Sequence, residues 1–217
     1  MTVKLTIDQI LNQAIAAHKA SKFEEAEQLY KNILKAQPQN SHANHNLGVL
    51  KVSFNKSAEA LPFFKAAIAA NPNIEQFWTS YIDALVKENQ FEEAEVSCRK
   101  AIELEPNLSK THYNLGLVVA RLGKLEEAEV SYKKAIELEP DYVSAYYDLG
   151  LVVARLGKLE EAKLAFKKTL SYDSGNKKFK TAYGQVLLKL NENKNGLSYI
   201  AEGQGVIEFE QSGVKII

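Results

Sequence analysis

The chain has 217 residues, of which 46% are apolar and 25% charged, the balance of a folded soluble protein. Lys plus Arg and Asp plus Glu cancel at 27 each, so no basic excess points to nucleic acid as a partner. Cys98 is the one cysteine, which excludes an intrachain disulfide and any cysteine cluster around a metal.

The first residues, 1–6, read as a short lead-in, and the N-terminal stretch lacks the continuous apolar core of a secretion signal. No segment approaches the roughly 20 apolar residues that cross a bilayer. A cytoplasmic protein without membrane contact is the expectation. From residue 7 onward a period of 34 governs the chain, marked by Pro38, Pro72, Pro106 and Pro140. It divides the sequence into units 7–40, 41–74, 75–108, 109–142 and 143–176, with a degenerate sixth helix pair over 177–205. The string LGLVVARLGKLEEA occupies 115–128 and recurs letter for letter at 149–162. A fixed period of this length is the signature of stacked helical hairpins, each burying its apolar face on its neighbours.

Within a unit, two runs of helical periodicity are separated by a break near position 15. Unit one has Gln13-Ala14 where later units have Leu-Gly, which suits an N-terminal cap. Unit two carries Pro62 in the early turns of its second helix, where it removes one backbone donor. Unit four shows the pattern most fully. Leu115, Leu117, Val118, Val119 and Leu122 form the first run, Gly123 breaks it, and Ala128, Tyr132, Ala135 and Ile136 continue the apolar face. Acidic pairs at 24–25, 92–93, 126–127 and 160–161 open the second helices, where carboxylates meet the positive dipole end. Unit five ends on Ser174 instead of Pro.

A packing code runs through the array. Position 8 carries Ala14, Gly48, Ile82, Gly116, Gly150 and Gly184, and position 20 is Ala in five units and Gly196 in the sixth. Position 24 is the bulky partner in most units: Tyr30, Phe64, Cys98, Tyr132, Phe166 and Ile200. The tail, 206–217, changes character. Val206, Ile207 and Phe209, then Val214, Ile216 and Ile217, flank Gln211-Ser212-Gly213, which reads as a short hairpin or as the point where a further domain is cut off.

No catalytic motif is present: there is no phosphate-binding glycine loop and no HExxH. The chain is therefore not expected to be an enzyme or to hold a cofactor. Cys98 falls at the bulky core position 24 and reads as a buried structural cysteine. His42 and His45 are three apart on one helix with His18 on the preceding one, a set that falls short of a dependable metal site. They read as surface or groove histidines.

These residues resemble the tetratricopeptide repeat family in Trp78, Leu115-Gly116, Ala128, Tyr132, Ala135 and Pro140. The resemblance covers 7–176 well and 177–205 loosely. It implies an all-α, right-handed superhelical solenoid of five clear repeats plus a degenerate sixth. It also implies that the first helix of each hairpin lines a concave surface through positions 2, 5, 6, 9, 12 and 13.

At position 6 those faces present Asn12, Asn46, Ser80, Asn114, Asp148 and Ala182, a partial ladder of side chains able to pair with a peptide backbone. Position 13 presents Lys19, Ser53, Lys87, Arg121, Arg155 and Lys189, a basic stripe suited to acidic segments. Tyr113 and Tyr147, at position 5, are expected as groove anchors. The residues that hold carboxylate tails in chaperone-binding members of the family are matched only at Asn46, which excludes that specificity. The expected binding set is Asn46, Lys87, Tyr113, Asn114, Arg121, Tyr147, Asp148 and Arg155, on a scaffold that takes a partner's peptide or helix. The rival expectation is an N-terminal module of a larger bacterial enzyme of glycosyltransferase, sulfotransferase or oxygenase type. Self-association through the solenoid ends is a further one.

Overall fold

The computed structural model describes residues 5–204 and the main chain of 207–210 and 213–216. The chain falls into two compact units, Met1–Pro106 and Asn107–Ile217. The first holds α1 (Ile7–Lys19), α2 (Phe23–Ala36), α3 (Ser41–Ser53), α4 (Ser57–Ala70), α5 (Glu75–Lys87) and α6 (Phe91–Leu104). The second holds α7 (Ser109–Arg121), α8 (Leu125–Leu138), α9 (Val143–Arg155), α10 (Leu159–Tyr172), α11 (Lys177–Lys189) and α12 (Asn193–Gln204). A two-stranded hairpin follows, with β1 (Ile207–Glu210) antiparallel to β2 (Gly213–Ile216) and Phe209 opposite Val214. Of the expected tail, Val206, Gln211, Ser212 and Ile217 lie outside the described residues, as do residues 1–4 of the lead-in.

Each hairpin turns at the same place for the same reason. Position 15 holds Ser21, Asn55, Asn89, Gly123, Gly157 and Asn191, and all six adopt positive φ, from 57° to 82°. Glycine enters that region freely and asparagine tolerates it, while serine does so at a cost. The turn lets the next N–H reach back to the first helix: Lys56 donates to the Lys51 carbonyl at 3.0 Å and Lys124 to Val119 at 2.9 Å. This is the six-to-one bond that closes a helix on a left-handed residue. Helix α4 runs through Pro62 uninterrupted.

The core follows the small-against-large code. A Cβ placed on Gly48 would stand 2.6 Å from the Phe64 ring, and on Gly116 or Gly150 it would stand 2.7 Å from Tyr132 or Phe166. Those rings are buried, so these three hairpins close because nothing but hydrogen occupies position 8. The third repeat inverts the pair, with Ile82 at position 8 and Cys98 at position 24, both wholly buried. Volume is thereby conserved while its two contributors change places.

Successive hairpins within a unit are also joined by ion pairs. Lys65 reaches Glu93 and Lys133 reaches Glu161, each at 3.1 Å and at the same repeat positions. These pairs are solvent-exposed and add little stability. Glu129 differs, because its side chain is 8% exposed and it takes Lys133 at 2.6 Å and Lys158 at 2.8 Å. Hydrogen bonds from both lysines hold its carboxyl below the usual range.

Candidate peptide-binding grooves

Within each unit the first helices of successive hairpins touch one another, α1 with α3 and α3 with α5, then α7 with α9 and α9 with α11. The face they line is the candidate groove, and it is described for each unit separately.

In the first unit, the expected groove histidines are divided. His42 is exposed, whereas His45 is buried with its ring stacked on Phe77 at 4.8 Å between centroids. The His45 Nε2 lies 2.9 Å from Ser80 Oγ. Burial holds this imidazole below its ordinary value of 6.5, so it sits neutral in the interior. His45 is thus a core residue bridging two repeats, which corrects its reading as a surface or groove histidine. His18 packs edge-on against Phe23 and Tyr30. Among the described residues no three metal-ligating side chains converge. Asn46 is half-buried beside His45, and Lys87 is exposed at the end of α5.

The second unit places a tyrosine–carboxylate pair at the register of His45 and Ser80. The Tyr113 hydroxyl donates to Asp148 Oδ2 at 2.8 Å, and the Tyr113 ring rests on Tyr142 at 4.9 Å between centroids. Burial raises the Asp148 carboxyl above its ordinary range, opposed by the Tyr113 hydrogen bond and by the positive charges of Lys178 and Arg121. Asp148 lines a cavity of about 270 Å³ together with Leu117, Ala120, Arg121, Tyr132, Leu151, Val152 and Arg155. Arg121 and Arg155 are exposed and make no ion pair among the described residues.

The structure therefore brings Arg121, Asp148 and Arg155 to one cavity, with Tyr113 attached through its hydroxyl. Asn114 is buried in α7. Tyr147 is not an exposed anchor: it is 8% exposed, covered by Phe179 at 5.2 Å, with Lys178 Nζ 4.3 Å above its ring. Leu117 and Leu151, at position 9, also line the cavity, and the charge of Lys178, at position 2, acts on Asp148. Both are positions that the repeat turns toward the groove, and that is the sequence signal that marks them.

Profile models of the tetratricopeptide repeat match residues 17–81 and 143–176, and TPR repeat models match 83–123 and 120–157. The chain belongs to the tetratricopeptide repeat family. Among solved structures it is similar to the MamA protein, at 24% identity over 77% of this chain and 92% of that one, with a TM-score of 0.72. It is also similar to PilF of Pseudomonas aeruginosa, at 17% identity over 89% and 88% of the two chains, with a TM-score of 0.74. YrrB, described as a tetratricopeptide repeat protein with an unusual peptide-binding site, aligns at 20% identity over 80% and 90%, with a TM-score of 0.68. At these identities the likeness is one of fold. No curated protein matches the sequence. Tetratricopeptide repeat arrays of this kind are protein-interaction scaffolds, and among the described residues no helix is long and apolar enough to cross a membrane.

Proposed function

We propose that this chain is a non-enzymatic, cytoplasmic adaptor whose second unit holds an acidic peptide segment of a partner protein along the first helices of its hairpins. The observation that carries this reading is the placement of Arg121 and Arg155 at one cavity, both exposed and neither engaged in an ion pair among the described residues. Lys178 adds a third cation on the same face of the unit. Exposed cations already neutralised by neighbouring carboxylates would offer a ligand little, whereas unpaired ones attract and orient an anionic segment. Asp148 supplies an acceptor for main-chain N–H groups. In the first unit, Asn46 and Lys87 provide a weaker, nearly neutral counterpart. The peptide-binding site named for YrrB lends general support to a peptide ligand.

The test is capture of partners from the native lysate by the wild type and by Arg121→Glu/Arg155→Glu. A partner retained by the wild type and lost from the double variant, with helicity unchanged, supports the reading. The same partners held by both proteins would overturn it.

A further inference from the structure

We infer that the groove of the second unit reads a short extended motif in which one aliphatic side chain is bracketed by two carboxylates about three residues apart. This rests on the reading that the groove takes an acidic segment, and it specifies what that segment must contain.

The cavity between α7 and α9 has walls of two kinds. Leu117, Leu151 and Val152 make an apolar floor, while Arg121 and Arg155 stand at the ends of the two helices. Its volume of about 270 Å³ lies just under the roughly 300–1,000 Å³ of pockets for drug-sized molecules, ample for an aliphatic side chain. Leu151 is 39% exposed there, an aliphatic surface that gains by being covered. Charge alone leaves that surface wet; an aliphatic side chain between two acids satisfies both parts of the site.

Asp148 sharpens the selection. Its Oδ2 accepts from Tyr113, and its Oδ1 meets no protein donor among the described residues. An acceptor at the cavity wall favours a ligand N–H and repels a carboxylate, so the side chain inside the cavity is not itself acidic. Spacing follows from geometry. Packed helices lie about 8–10 Å apart and an extended chain advances about 3.3 Å per residue, so a ligand crossing from Arg121 to Arg155 moves roughly three residues. The first unit does not repeat this arrangement. Its third and second hairpins carry Asp83 and Val49 at position 9 with Lys87 and Ser53 at position 13, a carboxylate and a single cation.

The experiment measures fluorescence anisotropy with labelled, end-blocked peptides built on Glu-Leu-Ser-Glu in a Gly/Ser frame, and on versions with Ser or Glu in place of Leu. The leucine probe is expected to bind about tenfold more tightly than the serine probe, and more tightly than the glutamate probe despite the latter's extra charge. The Leu151→Ser protein, altered at a half-exposed position, is expected to bind the leucine and serine probes alike. Equal binding of those two probes by the wild type, or tighter binding of the glutamate probe, would overturn the motif. If that binding still disappears with Arg121→Glu/Arg155→Glu, the acidic-groove reading survives without it. Failure of all three probes to bind at millimolar concentration also overturns the motif, and the lysate capture then decides the groove reading separately.

Discussion

His45 with Ser80 and Tyr113 with Asp148 occupy equivalent places in the two units, 35 residues apart in each case and at hydrogen-bond distance in each case. The repeat sets where the link falls, and the side chains set what it does. In the first unit a neutral imidazole meets a hydroxyl under the cover of Phe77, and the link belongs to the interior. In the second, a phenol meets a carboxylate that lines an open cavity together with two arginines that make no ion pair among the described residues. One backbone register thus yields an insulated bridge in one unit and a carboxylate at the wall of an open, charged cavity in the other.

The largest expected effect tests the core code, which one repeat of the first unit breaks. That third repeat inverts it at Ile82 and Cys98, whereas the first unit's second repeat keeps Gly48 against Phe64 and the second unit keeps Gly116 against Tyr132. Cys98→Tyr alone should overpack the third repeat and cost about 3 kcal/mol in urea unfolding. The double change Ile82→Gly/Cys98→Tyr should recover at least half of that loss, because the pair then matches the second unit. If the double variant is no more stable than the single one, position 8 and position 24 are not exchanging volume.

A smaller effect separates Glu27 from Glu129, which share position 21. The Glu27 side chain is 28% exposed and the Glu129 side chain 8%, and each takes two lysines. Both carboxyls are held below their usual range, chiefly by hydrogen bonds from those lysines. A depressed carboxyl stabilises the fold above its unfolded pKa, and that stability is lost as pH falls through the folded value. Glu129→Gln should therefore cost on the order of 1 kcal/mol at neutral pH and flatten the acid limb of the stability curve, with Glu27→Gln doing less of both. Equal effects from the two substitutions would show that burial does not distinguish them.

The smallest effect gives the two bridges opposite pH responses. His45 is held below 6.5 by burial, so the folded state binds fewer protons than the unfolded one as pH falls through 6.5, and the first unit weakens. Asp148 is held above its ordinary 3.8, so its contribution is present below 3.8 and is lost as pH rises through its folded value. Hydrogen exchange between pH 4 and 7 should show α3 amides losing protection toward acid and α9 amides losing it toward neutral. His45→Gln and Asp148→Asn should each abolish the response of their own unit. Parallel responses in α3 and α9 would refute the assignment.

Much of the scaffold is legible in the sequence, because its determinants are local and recur. The left-handed turn residues at position 15, the glycines at position 8 and the prolines that end the hairpins each act within a few residues or within one hairpin. Cys98 at a core position could be read as buried for the same reason, and burial pushes its thiol up to about 12. The basic row containing Arg121 and Arg155 was legible too, since helix phase alone puts those side chains on one face.

What the sequence pattern left undecided is which position-5 and position-6 side chains remain accessible, and only tertiary packing settles that. The next hairpin's position 3 is Phe77 after His45 and Phe179 after Tyr147, and a large ring there covers the side chain before it. After Tyr113 the same place holds Ala145, which leaves the phenol half-buried and able to reach Asp148. Periodicity assigns a residue to a face of its own helix. Whether that face is covered depends on the volume of a side chain about 32 residues further on, and that contact exists only once the hairpins are stacked.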